Sequence, residues 1–185
     1  MGIVYLIGGR GAGKTTLGRA LSASCGFDFA DLDEELCRDL GMDVAAIVSA
    51  QGWEGFRAHE SRILRKLTQN FPANANHVAL ACGGGIVERG ENITYMRENG
   101  LVVWLDQPLA TQIERLEKDA KPDQRPSLTG RDMFAELGEI MRRRKPLYAQ
   151  CAHLRLDSAM DQEQICQRIV EFCDGRGRPE NDCAK

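Results

Sequence analysis

The chain has 185 residues, enough for one well-buried core and too few for two ordinary domains. It is 43% hydrophobic and 28% charged with a net charge of −3, acids and bases interspersed, a balance that lacks the basic stripe expected of a nucleic-acid-binding surface. No apolar run is long enough to span a bilayer and the N-terminus carries no secretory pattern, so the expected setting is the cytoplasm, with neither membrane nor nucleic acid as partner.

The run from Ile3 to Ile7 is continuously apolar, as a strand covered on both faces requires, and is expected at the centre of a parallel sheet. After a glycine-rich stretch, Leu17, Ala20, Leu21 and Cys25 keep helical spacing. Phe27 to Ala30 reads as a short strand ending in Asp31, Leu32 and Asp33. Helices are expected through Leu40 and again from Val44, with an interruption at Gly52 and Trp53. On the next stretch Phe56, Ile63, Leu64 and Leu67 share one face, and Arg57 and Glu60 lie one turn apart on another, where they can pair. Trp53 and His59 read as packing or surface residues.

His77 to Cys82 is the third expected strand, closed by Gly83, Gly84 and Gly85, and Leu101 to Leu105 is the fourth. Pro108 opens a helix carrying Leu109, Ile113 and Leu116. From Glu117 to Pro126 the periodicity fails, which predicts a mobile surface loop. A helix from Met133 is expected to end near Arg144, before Pro146. Leu154 and Leu156 alternate with charged neighbours, the pattern of a half-exposed edge strand, and a helix with Ile165, Ile169 and Phe172 follows. Strands alternating with helices predict a three-layer α/β fold with a parallel sheet. The seven cysteines are odd in number and form no C-x-x-C, which points to free thiols, and the three histidines share no ligand spacing.

The chemistry is concentrated in the loop from Gly8 to Thr16. Gly8-x-x-x-x-Gly13-Lys14-Thr15 between a strand and a helix fits the phosphate-binding loop of nucleoside triphosphate enzymes. Bare backbone lets N–H groups converge on phosphate oxygens, Lys14 can reach the β and γ phosphates, and the Thr15 hydroxyl can coordinate Mg²⁺. That loop alone leaves the acceptor open.

Five stretches taken in order resemble the shikimate kinases, phosphate-loop enzymes related to the nucleoside monophosphate kinases: "GGRGAGKTT" from 8 to 16, "DLD" from 31 to 33, "GFR" with an acid three residues later (55 to 60), "GGG" from 83 to 85, and "RPSLTG" with "RRKPLY" (125 to 130 and 143 to 148). The resemblance implies a five-stranded sheet in order 2-3-1-4-5, and transfer of the ATP γ-phosphate to the 3-hydroxyl of shikimate with Mg²⁺ in a monomer. It spans roughly residues 3 to 172 and implies a mobile lid near 117–131; the chain length predicts one domain, over residues 1–173, and the polar composition of 174–185 a disordered tail. ATP is expected on Gly11, Ala12, Gly13, Lys14, Thr15, Thr16, Arg115 and Arg125, with Arg125 arriving on the lid. Arg57 and Arg144 match the arginines that grip the shikimate carboxylate, and Glu60 the acid that orients Arg57. Asp33 matches the acid that meets the substrate hydroxyls, although a helix cap is the structural alternative for it. Gly83, Gly84 and Gly85 match the turn against the substrate ring, and Thr15 and Asp31 the metal site. The catalytic set implied is Lys14, Asp33 and Arg125. Relatives often have Thr or Ser before the three glycines, where this chain has Cys82, so a hydroxyl that would help order the Mg²⁺ water shell is absent. The rival readings are a kinase for another hydroxy acid such as gluconate, and a non-catalytic nucleotide switch.

Overall fold

A computed structural model describes residues 2–71, 77–118 and 133–175. Five strands, β1 (Gly2–Ile7), β2 (Asp28–Asp31), β3 (His77–Ala81), β4 (Gly100–Asp106) and β5 (Leu154–Asp157), form one parallel sheet in the order β2-β3-β1-β4-β5. Tyr5 of the central strand lies opposite Leu80 on one side and Val102 on the other. The apolar run at the N-terminus thus occupies the position its two-sided burial demands.

Alternation along β1 divides the core in two. Val4 and Leu6 pack with Leu17 and Leu21 of α1 (Lys14–Cys25) and with Ile165 and Ile169 of α7 (Gln162–Cys173). Tyr5 and Ile7 face the other layer, which joins Leu36 of α2 (Leu32–Leu40), Leu64 of α3 (Val44–Asn70), Met96 of α4 (Gly90–Asn99), Leu116 of α5 (Leu109–Lys118) and Tyr148 of α6 (Met133–Cys151). These two clusters are the inner faces of a three-layer sandwich. β5 alternates buried and exposed residues at one edge of the sheet, as its period-two pattern requires.

Several boundaries differ from the sequence reading. The second strand ends at Asp31, and Asp33 lies in the first turn of α2; the cap of that helix is Asp31, whose Oδ1 accepts from the Asp33 and Glu34 amides at 3.0 and 3.4 Å. The third strand stops at Ala81, one residue short of Cys82. Helix α4, which the sequence reading left out, fills the crossover between β3 and β4. Glu117 and Lys118, expected in the loop, belong to α5; the remainder of the proposed lid, with Arg125, lies outside the described residues, as does nearly all of the proposed tail.

Helix α6 runs through Pro146 to Cys151 where an end before the proline was expected. Proline at this position takes away the hydrogen bond to the carbonyl one turn earlier. Pro146 and Arg142 are both exposed, so the freed carbonyl faces water, while fully buried Tyr148 and Cys151 hold the following turn against the core. The expected break at Gly52 is present as a kink inside α3, where Gly52 takes φ 68° and ψ 177°.

Candidate active site

The C-terminal ends of parallel strands face one edge of the sheet, where ligands of open α/β folds bind. Here that edge opens into a cavity of about 940 Å³ lined by the glycine loop, Asp31, Asp33, Arg57, Glu60, the Gly83–Gly85 turn, Arg115 and Arg144. Every site residue expected from sequence that is described borders it.

The glycine loop connects β1 to α1. Gly13 is the N-cap of α1 in a left-handed conformation and offers no side chain to the helix, so the first amides of α1 remain available to an anion. Lys14 Nζ donates to the carbonyls of Gly8 and Gly9 at 2.9 and 2.8 Å, which folds the lysine back over the loop. Arg115, at the exposed end of α5, donates from Nη1 to the Gly11 carbonyl at 3.2 Å and so borders the same loop.

Thr15 and Asp31 meet across the first turn of α1. Thr15 Oγ1 donates to Asp31 Oδ2 at 2.7 Å, while Asp31 Oδ1 is occupied with the cap of α2. A hydroxyl and a carboxylate oxygen side by side next to a phosphate loop are hard donors, and they fit the one or two protein ligands that Mg²⁺ takes beside phosphate oxygens and water. Among the described residues there is no group of three or more His, Cys, Asp or Glu side chains that could hold a metal by themselves.

The opposite wall is a cluster of buried charge. Arg57 and Glu60, one turn apart on α3, pair at 2.7 Å with side-chain exposures of 11% and 0%. The sequence reading put this pair on a face away from the core residues, and that face borders the cavity, five residues after the kink at Gly52. Burial pushes the Glu60 carboxyl up to about 7, against the pull of Arg57. Burial alone would lower Arg57, but the charge and hydrogen bond of Glu60, with Glu88 and Asp33 behind them, hold it above its ordinary value. Glu60 Oε1 is buried and has no hydrogen-bond partner among the described residues, and Asp33 Oδ1 is buried nearby.

The three glycines are what this cluster leaves room for. A Cβ on Gly85 would lie 2.0 to 2.6 Å from the Arg57 guanidinium, and one on Gly83 would lie 2.3 Å from Glu60 Oε1 and 2.9 Å from Asp33 Oδ1. Side chains there would displace the charged groups themselves, which explains glycine more fully than a tight turn does. Tyr148 Oη donates to the Gly84 carbonyl at 2.5 Å and ties the turn to α6. Cys82, just before the turn, is buried with its Sγ donating to the Leu80 carbonyl at 3.6 Å, and burial holds its thiol far above the ordinary value.

Arg144 of α6 is 7% exposed at the side chain. Its Nη2 is buried without a hydrogen-bond partner among the described residues. Two contributors were missed from sequence. Trp53 lines the cavity beside Phe56, and the Arg57 guanidinium lies 5.5 and 5.3 Å from the two ring centroids. The available signal was its spacing, four residues before Arg57 on a helix. Glu88, at the end of a 3₁₀ turn over Ile86–Glu88, pairs with Arg57 and Arg144; nothing local in the sequence marks it. Burial would raise its carboxyl, but the charge and hydrogen bond of Arg144, with Arg143 and Arg57, hold it below the ordinary value.

The family model described as shikimate kinase matches residues 10–174. A shikimate kinase of Nitratidesulfovibrio vulgaris is 45% identical over 149 residues, which are 80% of this chain and 82% of that protein. Shikimate kinase 2 of Sodalis glossinidius is 40% identical over 168 residues, 91% of this chain and 93% of its own length. Among solved structures, a shikimate kinase from Acinetobacter baumannii in complex with shikimate aligns with a TM-score of 0.82 at 31% identity, covering 95% of this chain and 94% of that one. With a family model over almost the whole sequence and relatives at this identity across most of both lengths, the phosphate loop and the buried arginine wall have one common setting: the chain belongs to the shikimate kinase family.

Proposed function

We propose that this protein transfers the γ-phosphoryl group of ATP to the 3-hydroxyl of shikimate, giving shikimate 3-phosphate and ADP. One observation carries the reading: a pair of buried guanidiniums, Arg57 and Arg144, shares a cavity with Asp33 and a phosphate-binding loop. A small polyhydroxy acid needs planar cationic forks at one end and oxygen acceptors at the other. The loop supplies the place for the nucleotide.

In this reading the α1 amides and Lys14 receive the phosphates, with Gly11, Ala12, Gly13, Thr15 and Thr16 forming the cradle and Arg115 beside it. Lys14 leaves the carbonyls of Gly8 and Gly9 to do so, exchanging two neutral acceptors for charged oxygens. Thr15 and Asp31 hold Mg²⁺, whose chemistry there is neutralisation of phosphate charge. Arg57 and Arg144 grip the carboxylate, Glu60 orients Arg57 and offers its free Oε1 to a hydroxyl, and Asp33 accepts from the attacking hydroxyl. The Gly83–Gly85 backbone lies against the ring. As the oxygen attacks, the bond from the γ-phosphorus to the β-bridging oxygen breaks and the hydroxyl proton passes toward Asp33. Arg125 is assigned the role of meeting the transferring group from a lid that follows α5. The reading extends to a single catalytic domain over residues 1–173 that works as a monomer in the cytoplasm, which the six free cysteines among the described residues support.

The test is ADP release from ATP and Mg²⁺ with and without shikimate, with gluconate as control. Shikimate-dependent release is expected. Release indifferent to shikimate, or equal with gluconate, would overturn the reading.

A further inference from the structure

We infer that Glu88 is a positioning residue for the carboxylate grip, holding Arg57 and Arg144 together from behind the site. This rests on the functional reading above and names a residue that its motifs do not contain. The Glu88 amide donates to the Gly85 carbonyl at 3.0 Å, so the acid is anchored to the same turn that lies against Arg57. Its two carboxylate oxygens are divided between the arginines. Oε1 accepts from Arg144 Nε at 3.2 Å and from Arg143 Nη2 at 2.5 Å, and Oε2 pairs with Arg57 Nε at 3.3 Å.

What matters is which guanidinium atoms this leaves. Glu88 takes Nε of both Arg57 and Arg144, and Glu60 takes Nη1 of Arg57. Arg57 Nη2 takes part in neither of these pairs, its guanidinium lying against Gly85, and Arg144 keeps Nη2, which is buried without a partner among the described residues. The two arginines line the large cavity, whereas Glu88 does not; it lines a neighbouring cavity of about 340 Å³ together with Arg143 and Glu139, and Arg57 stands between the two, bordering both. A carboxylate entering the large cavity therefore meets Nη atoms on the side away from Glu88. Glu88 does not stand in the place of the substrate. It neutralises two guanidiniums that would otherwise repel one another in a buried wall, and it fixes the torsion of each through the atom nearest the chain.

The experiment compares the unsubstituted protein with Glu88→Gln, which keeps the shape and removes the charge, and with Glu88→Leu. Steady-state kinetics give KM and kcat for shikimate and KM for ATP. Tryptophan fluorescence, with Trp53 in the cavity, gives the affinity ratio of shikimate over its methyl ester. In Glu88→Gln the shikimate KM is expected to rise about tenfold with kcat and the ATP KM within about twofold, and the acid-over-ester ratio to fall by the same factor as the KM rises. Glu88→Leu is expected to extend both changes. A purely structural Glu88 would lower the melting temperature and weaken acid and ester alike, and a competing Glu88 would lower the KM; either result overturns the inference. Shikimate-independent ADP release by the unsubstituted protein would overturn the substrate reading and this inference with it. Shikimate-dependent release with an unchanged acid-over-ester ratio would overturn this inference alone.

Discussion

Arg57 and Lys14 are both single cations at the cavity, yet their surroundings predict different failures. Arg57 is held on three sides, by Glu60, Glu88 and the rings of Trp53 and Phe56, before any ligand arrives. It faces a carboxylate whose charge is constant through the reaction, so Arg57→Ala should raise the shikimate KM by about one to two decades and lower kcat less. It also strands Glu60 in a dry site, where breaking a buried pair typically costs about 3 to 5 kcal/mol. The readiness of Glu60 to take a proton caps that cost. Denaturant midpoints for Arg57→Ala and for Arg57→Ala with Glu60→Gln test this: the second change should recover stability without recovering KM. Lys14, in contrast, donates to the loop carbonyls of Gly8 and Gly9 and faces charge that develops during transfer. Lys14→Met should cost about 10² to 10³ in kcat and leave shikimate affinity without ATP unchanged. A Lys14→Met protein with full turnover would remove the loop from the chemistry.

At the scale of elements, helix α3 owes its usefulness to one residue. Gly52, with φ 68° and ψ 177°, occupies a region that only glycine enters without strain, and a Cβ there would touch nothing within 4 Å. Gly52→Ala should therefore cost about 1 to 3 kcal/mol through backbone strain alone, read as a shift in urea midpoint, and should loosen Arg57 and raise the shikimate KM. An unchanged midpoint would mean that the kink belongs to the neighbours. This break was legible because glycine beside tryptophan interrupts an apolar stripe. The P-loop, the central first strand and the edge position of β5 were legible for similar reasons, each being written in a local pattern. What escaped depended on distant partners. Helix α4 carries few apolar residues, and Ile93 and Met96 gain meaning only from the sheet they cover. The passage of α6 through Pro146 depends on which side of the helix faces water. The helix cap considered for Asp33 falls on Asp31 instead, because both can cap and only the turn geometry decides. Glu88 has no motif; its role comes from three arginines on two other helices.

Over the whole molecule, the strand ends gather acids and bases at one edge, and the buried ones should leave a signature in how stability depends on pH. Burial raises the Glu60 carboxyl from an ordinary 4.5 to about 7, with Arg57, Asp33, Arg144 and Cys82 as its charged or titratable neighbours. Between those values the folded protein keeps a proton that the unfolded chain has lost, so stability falls as pH rises and levels off above about 7. The largest possible slope for one such proton is about 1.4 kcal/mol per pH unit. His153 works in the opposite sense. Burial, with Arg97, holds it below its ordinary 6.5, and its Nδ1 accepts from the Val102 amide at 3.0 Å, which requires the neutral ring. Below 6.5 the unfolded chain binds the proton more readily, so this residue makes stability rise with pH up to that value. The two slopes oppose one another just below 6.5, and above that value only the decline from Glu60 is left. Urea midpoints at closely spaced pH values should thus change less steeply just below 6.5 than Glu60 alone would dictate, and fall slightly between 6.5 and about 7. Glu60→Gln should expose a rise with pH below 6.5 and abolish the fall above it, because the amide does not titrate. If Glu60→Gln instead reproduced the unsubstituted profile, Glu60 would be ionised throughout, and the fall with pH would have another source.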